Sequence, residues 1–325
     1  MIAKRQLLSL ACAGGLALIM PGGARSQLRN TPVHLTVGFG AGGTIDVIAR
    51  MLADEMKGYA SFVVENRAGA GGRLVLGALK NSPADGSAIV LTPASMLVVF
   101  PHVYKALGYD ALSDFAPVTR VCSFPFLITV GPMVPPNVAT LADFVKWCAA
   151  NPRQSTYGTA AAGSMLHFTG TILAKAGGFE FAHVPYGGPN GIQDLIGGRI
   201  AATIYPVGTA LPYVQSGNIR ALAITSSERS RQLPAVATVR EAGFPALEVE
   251  EWFGVVVPVK TPAKTIEHLN AAIRAAVSSD RFIGDVSKLA VTAVSDSPEQ
   301  FAQLIKSDFD RWGPIVQGSG FSSED

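Results

Sequence analysis

Short apolar runs alternate with helical patterns along this chain, and this alternation limits the possible folds more than any other feature. Residues 33–38 form a strand-like run, and behind it apolar residues recur at spacings of three and four over residues 45–56, which indicates an amphipathic helix. Residues 61–65, 88–92 and 155–158 predict further strands. We therefore expect an α/β fold built around largely parallel sheets.

Helix starts are marked at several later positions. Thr140 and Asp143 have capping-box spacing, and Pro298 follows a serine at a predicted first helical position. Pro262 marks another such start. Residues 321–325 are predicted to be a frayed tail.

The first 26 residues have the layout of a secretory signal peptide. Basic residues stand at positions 4 and 5, residues 7–20 are uncharged and mostly apolar, and small residues occupy positions 24 and 26. The apolar run is short for a membrane span. We predict that residues 1–26 are a signal peptide and that the mature protein is soluble and exported; a buried N-terminal helix is the alternative.

Composition excludes several classes of protein. The chain has 325 residues, enough for two domains, and only 15% of them are charged, which excludes a disordered protein. The 26 Lys and Arg against 24 Asp and Glu are too balanced for gripping nucleic acid. Three cysteines and unpaired histidines predict no metal site. We expect Cys122 and Cys148 to be buried thiols, with one disulfide as the alternative.

A glycine-rich loop follows the first predicted strand. Gly38, Gly40 and Gly43 satisfy the spacing G-x-G-x-x-G, and Glu65 lies 22 residues further on, which matches a dinucleotide fingerprint. Glycines let any ligand approach the backbone, and a helix N-terminus offers free N–H groups to any carboxylate or phosphate. Three hypotheses stay open here: a carboxylate site, a dinucleotide-dependent enzyme, and a tight turn without a ligand.

A second loop of similar construction follows Tyr157 and leads through Ser164 to His167. Neither loop contains lysine or arginine, so a bound anion would depend on N–H groups, hydroxyls and helix ends. Five or six such contacts could reach micromolar affinity, about −8 kcal/mol. A glycine-rich turn is one alternative, and an exported hydrolase using Ser164, His167 and Asp46 is another, although no G-x-S-x-G elbow is present.

Seven segments carry a family resemblance: residues 38–50, 63–72, 114–119, 183–186, 194–198, 220–225 and 252–254. Each is weak alone, but their order and spacing over about residues 32–320 are specific. The chain resembles the solute receptors of tripartite tricarboxylate transporters, the Bug family of periplasmic solute-binding proteins.

This resemblance implies a two-lobed clamshell of the type II-like periplasmic-binding-protein class, with two hinge crossovers. We place lobe I at residues 27–124 and 250–325, and lobe II at residues 125–249. The implied function is non-enzymatic: a periplasmic monomer without a cofactor that binds a small carboxylated ligand and delivers it to the membrane subunits of a permease. A sensor without a permease is the alternative.

The resemblance also implies that the ligand lies between the two loops, residues 39–46 and 159–167. The predicted ligand-binding residues are Phe39, Ala41, Gly42, Gly43, Thr44, Asp46, Thr92, Ser95, Thr159, Gly163, Ser164, His167, Tyr186 and Gly187. We expect Asp46 to fix the first loop and not to touch an anion, because two carboxylates repel.

Two positions depart from the family pattern. Relatives often carry an aromatic–Asp pair where this chain has Tyr205 and Pro206, and they frequently have Asn where it has Arg73. Both changes could favour a more acidic or bulkier ligand; the alternative is that neither position faces the cleft.

Overall fold

The computed structural model describes residues 29–186 and 188–323, so the predicted leader and Gly187 lie outside the described residues. Within them the strands are β1 (Arg29–Val37), β2 (Ala60–Asn66), β3 (Ala88–Pro93), β4 (Phe115–Val130), β5 (Thr156–Thr159), β6 (Ala182–Pro185), β7 (Ala202–Pro206), β8 (Arg220–Ile224), β9 (Glu250–Pro258) and β10 (Thr292–Ala293). The α-helices are α1 (Thr44–Glu55), α2 (Arg73–Leu79), α3 (Ala94–Val98), α4 (Phe100–Val103), α5 (Leu141–Ala150), α6 (Met165–Gly177), α7 (Gly191–Ile196), α8 (Val207–Gln215), α9 (Ala263–Val277), α10 (Asp280–Ser287) and α11 (Pro298–Ser319).

One long strand, β4, joins two sections of the sheet. Its first part pairs with β9 as far as Pro125 opposite Glu250, and its last part pairs with β7 from Phe126 opposite Pro206. What we call the first section contains β2, β1, β3, β9, the start of β4 and β10. The second section contains β8, the end of β4, β7, β5 and β6.

The prediction of largely parallel sheets is wrong. The outer strands of each section are parallel, as β1 is to β2 and β3, and as β5 is to β6 and β7. The central strands β4 and β9 are antiparallel to all their partners. The reason is that β4 carries the chain from the first section to the second and β9 carries it back, so the two strands run in opposite directions.

The predicted helix starts are confirmed to within one residue. The Thr140 hydroxyl accepts the N–H of Asp143 at the start of α5. Pro298 begins α11 behind a reciprocal capping box of Ser297 and Gln300. At α9, Pro262 is the residue before the helix and not its first residue.

The end of the described chain is packed against both sections, so the predicted frayed tail is wrong for residues 321–323. The Phe321 ring lies edge-on to His167, with centroids 4.6 Å apart, and Ser323 donates its N–H to the carbonyl of Val103 at 3.0 Å. Because these contacts join distant parts of the sequence, local composition did not reveal them.

Cys122 and Cys148 are unpaired and buried, as expected. Burial raises the pKa of the two thiols to about 12 and about 11, respectively. Both side chains therefore act as small apolar core groups.

A cavity of about 560 Å³ lies where the chain passes between the sections. Pro125 and Glu250 line it, together with residues 226–232 from the second section and residues 290–293 from the first. In the part of the chain that the structure describes, no helix is long and apolar enough to cross a membrane. The same residues contain no group of three or more His, Cys, Asp or Glu side chains placed to hold a metal ion.

Candidate functional site

The first loop, residues 39–46, is held in shape by the buried carboxylate of Asp46. This carboxylate accepts the backbone N–H of Gly42 at 2.8 Å, Nε–H of Arg50 at 3.1 Å and Nδ2–H of Asn66 at 2.9 Å. Asn66 also donates to the carbonyl of Phe39 at 3.1 Å. Burial alone would raise the pKa of Asp46, but the hydrogen bonds from Arg50, Gly42 and Asn66 outweigh it and lower the pKa. Asp46 is therefore ionised and turned into the loop.

This arrangement leaves the start of α1 open. No side chain among the described residues caps the helix at Gly43, and residues 40–43 are exposed. The first-turn N–H groups have no intrahelical acceptor, and the helix dipole makes this end positive. The start of α1 can therefore receive an anion.

The glycines of the first loop are required for different structural reasons, or are not required by the structure at all. A Cβ on Gly38 would lie 2.8 Å from Cα of Gly72, so this glycine is required by packing and not by a ligand. Gly42 has a φ of +82°, a conformation that favours glycine. A Cβ on Gly43 would meet only the Gly40 carbonyl oxygen, at 3.5 Å, so this position has room for a side chain.

The second loop runs from the end of β5 to the start of α6. The hydroxyl of Ser164 donates to the carbonyl of Ala161 at 2.8 Å, so it points away from the helix and does not cap it. The N–H of Gly163 donates to Nδ1 of His167 at 3.1 Å. As in the first loop, side chains shape the turn and leave the start of the helix uncapped.

Two stacked histidines, His167 and His183, hydrogen-bond with residues of the second loop. The rings of His167 and His183 are 4.1 Å apart between centroids. Thr159 donates its hydroxyl to the carbonyl of Ala161 at 3.1 Å and so accepts Nε2–H of His183 at 2.7 Å. Burial lowers the pKa of His167 to about 4; burial and the neighbouring His167 lower the pKa of His183 to about 3. Both imidazoles are therefore neutral at pH 7.

The residues of the imagined hydrolase do not form a catalytic group. Ser164, His167 and Asp46 are each bonded to backbone or side-chain groups of their own loop. Among the described residues, no hydrogen bond joins one of the three to another.

Ser95, at the start of α3, connects the second loop to the first section. Its N–H donates to Oε1 of Glu251 at 2.8 Å and its hydroxyl to Oε2 at 2.9 Å. The same hydroxyl accepts the N–H of Met165, the first residue of α6, at 3.2 Å. Burial raises the pKa of Glu251 to about 7. Sequence reasoning missed Glu251, although a glutamate before the apolar run of β9 was a visible signal.

The first loop lies close to α3. Gly72 packs between Phe39 of the first loop and Met96 of α3: a Cβ on Gly72 would lie 3.2 Å from the Phe39 ring and 3.0 Å from the Met96 sulfur. Thr92, just before α3, is fully buried and its hydroxyl donates to the Pro93 carbonyl at 3.2 Å. Both loops are therefore connected to α3 through packed neighbours.

Tyr186 and Tyr205 lie together on the second section. The hydroxyl of Tyr186 donates to Oδ2 of Asp194 at 2.8 Å. The ring of Tyr205 is buried and its hydroxyl donates to the carbonyl of Gly188 at 2.7 Å. Tyr205 therefore holds the backbone next to Gly187, which is outside the described residues.

Arg73 lies flat over an aromatic ring. Its guanidinium carbon is 3.7 Å from the centroid of Tyr104, and its Nε–H donates to the carbonyl of Ala70 at 2.8 Å. It follows Gly72 directly and so lies one residue from the Phe39 contact. The backbone of Arg73 is thus close to the first loop, and its positive charge is held over Tyr104.

The chain is similar to several known proteins. The family model "Tripartite tricarboxylate transporter family receptor" matches residues 48–321. Protein BugT of Bordetella pertussis is 33% identical over 293 residues, which cover 89% of both chains. Rpa4515 of R. palustris, solved with adipate, is 30% identical with a TM-score of 0.82, and the match covers 90% of this chain and 98% of that one. MatC of Rhodopseudomonas palustris, solved with bound malate, is 26% identical with a TM-score of 0.79, and the match covers 88% and 99%.

These relatives share a mixed α/β periplasmic binding protein fold with the chain. The matched family consists of solute-binding receptors, so neither the dinucleotide enzyme nor the hydrolase describes this protein. The chain belongs to the tripartite tricarboxylate transporter receptor family of periplasmic solute-binding proteins.

Proposed function

We propose that this receptor captures a small carboxylate-bearing metabolite by closing two lobes on it and delivers the metabolite to a tripartite tricarboxylate-type permease. The observation that carries the proposal is that α1 and α6 each follow a loop without lysine or arginine and begin without a side-chain cap from their own N-cap residue. Ser95 takes only the first N–H of α6. Adipate and malate in two solved relatives agree with a carboxylate ligand.

The lobes of this proposal are residues 27–124 with 250–325, and residues 125–249. The exchange of partners along β4 between Pro125 and Phe126, and the start of β9 at Glu250, support hinge crossovers at these points. Such a type II-like clamshell binds by shifting its population towards the closed form, because both lobes touch the ligand only when it is closed. We further propose that residues 1–26 direct export to the periplasm and that the receptor acts there as a monomer.

The proposed site residues divide into two groups. In the first group, backbone N–H groups or hydroxyls contact the ligand; its members are Phe39, Ala41, Gly43, Thr44 and Gly187. In the second group, residues hold the first group in place because their side-chain or backbone polar atoms are already bonded; its members are Gly42, Asp46, Thr92, Ser95, Thr159, Gly163, Ser164, His167 and Tyr186.

Calorimetric titration tests this function. We expect binding heat from at least one member of a panel of adipate, malate and citrate, with a dissociation constant of roughly micromolar order. NAD and NADP should give none. Heat from a nucleotide together with none from the carboxylates would contradict the proposal.

A further inference from the structure

Glu251 is a buried carboxyl group close to the start of α6. Its side chain lies in the interior, with the whole residue 6% exposed, and its two oxygens contact only Ser95 among the described residues. Ser95 Oγ connects the carboxyl group to the first N–H of α6. It lies 2.9 Å from Glu251 Oε2 and 3.2 Å from Met165 N, so only one hydroxyl separates the carboxyl group from the start of the helix.

The charged groups around Glu251 are few. The acidic group that acts on Glu251 is Asp308 on α11; it accepts Nε1–H of Trp252 at 2.9 Å, and its charge adds to the burial that raises the pKa of Glu251. Arg120 and Arg311 act on Asp308. His167 on α6 is neutral at pH 7 because burial lowers its pKa. Among residues 29–186 and 188–323, no ion pair joins Glu251 to a cation.

The hydrogen bonds of Ser95 depend on the proton of Glu251. While Glu251 is ionised, the Ser95 hydroxyl must donate to it. Once Glu251 is protonated, its own O–H can donate to Ser95 Oγ, and the Ser95 hydrogen becomes free for another acceptor. A carboxylate seated at the start of α6 would be such an acceptor, and its negative charge would also disfavour the ionised form of Glu251.

We propose that Glu251 takes up one proton from solvent when an anionic ligand is seated at the start of α6, so that ligand binding is proton-linked. This inference rests on the proposed function. With a pKa of about 7 before binding, Glu251 is mostly ionised at pH 8 and becomes protonated in the complex. The affinity then falls with rising pH, by up to about tenfold per pH unit above 7.

The test is calorimetry with adipate and malate at pH 8 in HEPES and in Tris, two buffers that differ in heat of ionisation and contain no phosphate to compete for an anion site. We expect the wild-type enthalpy to differ between the buffers by an amount that corresponds to more than about half a proton taken up per ligand. Glu251→Gln should still bind, with equal heats in both buffers and an affinity independent of pH from 7 to 9.

Glu250→Gln is the matched control. Glu250 is exposed on the neighbouring position of the same strand, so this variant should keep the wild-type proton uptake. Ser95→Ala provides a second variant that keeps Glu251: because the Ser95 hydroxyl lowers the pKa of Glu251, its loss should leave Glu251 more protonated before binding and reduce proton uptake at pH 8, while weakening binding by about two- to tenfold.

The other possible results distinguish failure of proton linkage from failure of the proposed receptor function. Wild-type binding with equal heats in both buffers would overturn proton linkage and leave the receptor function standing, whether or not the Gln variant folds. Proton uptake that persists in Glu251→Gln would assign the proton to another group and overturn the role of Glu251. The absence of heat with every carboxylate would overturn the proposed function, and this inference with it.

Discussion

Asp46, Ser95 and His167 are buried polar residues that serve the two loops without presenting their polar atoms to solvent. Asp46 holds an N–H of the first loop, His167 holds an N–H of the second, and Ser95 receives the first N–H of α6. Each leaves other backbone N–H groups of its loop available. In the proposed function, recognition of an anion depends on the shape of the backbone, which these side chains fix.

Asp46→Asn should destabilise the first loop. The amide keeps one acceptor oxygen but turns its NH₂ towards donors from Arg50 or Asn66, which leaves a buried donor unsatisfied. We expect a loss of about 1–3 kcal/mol in the free energy of unfolding, measured with urea, and weaker ligand binding. Asp54→Asn, at a half-exposed position of the same helix whose ion pairs lie at the surface, should cost much less stability and leave ligand binding unchanged; equal effects of the two substitutions would contradict this role of Asp46.

Arg73 should decide whether a second carboxylate is preferred. Because its backbone is close to the first loop and its positive charge is held over Tyr104, Arg73→Asn should weaken adipate binding by about tenfold or more and leave hexanoate, which has one carboxylate, little changed. Arg67→Asn is the control, since Arg67 is paired with Glu65 at 2.7 Å. If the loss is the same for both ligands, the charge of Arg73 does not contribute to selectivity.

The types of these residues could be predicted from the sequence, but their partners could not. Asp46 and Ser164 stood in loops whose spacing already indicated helix starts. Asn66 is 20 residues from Asp46, and Glu251 is 156 residues from Ser95. Such pairs form only when strands from separate segments lie side by side, and no local spacing encodes that.

At the scale of elements, α1 and α6 begin in the same way. In each case a strand ends in a small-residue loop, and the helix that follows has no side-chain cap at its N-cap residue. Ser, Thr, Asp and Asn are the preferred capping residues, and among the described α-helices only α5, α10 and α11 have a side-chain cap. What distinguishes α1 and α6 from most of the other uncapped helices is the small-residue loop that precedes each of them.

Three substitutions at Gly43 separate the effect of a negative charge on ligand binding from the effect of capping α1. Gly43 has a φ of −72° and space for a side chain, so Gly43→Ala should bind like the wild type. Gly43→Asn would cap α1 and occupy an N–H group, and should bind more weakly while raising stability. Gly43→Asp would add a like charge and should abolish binding in calorimetry. If Gly43→Asp keeps wild-type affinity, the first loop is not part of the site.

Element boundaries followed the sequence well wherever a local signal existed. The apolar run at residues 88–92 corresponds to β3, and the capping residues at 140 and 297 mark helix starts. The direction of β9 had no such signal, because an apolar run of valines fits a parallel or an antiparallel neighbour equally.

At the scale of the whole molecule, two crossings of the chain connect the sections, with β4 leading out and β9 leading back. Small-angle X-ray scattering should therefore show a smaller radius of gyration when a ligand that gives heat in calorimetry is added. Gly43→Asp, which should not bind, should show no change under the same conditions. A radius that stays constant in the saturated wild type would contradict lobe closure.

Glu250 and Glu251 are neighbours on β9, so their side chains point to opposite faces of the sheet. Glu251 faces Ser95 and the loops, whereas Glu250 lines the 560 Å³ cavity on the other face. That volume is far larger than the roughly 30 Å³ of one water molecule in the liquid. If the lobes close as proposed, the rotation that narrows the Glu251 face of the sheet widens the Glu250 face, so water leaves the first side while it enters the cavity on the second. The dependence of ligand affinity on osmotic pressure would then report only the difference between these two exchanges of solvent.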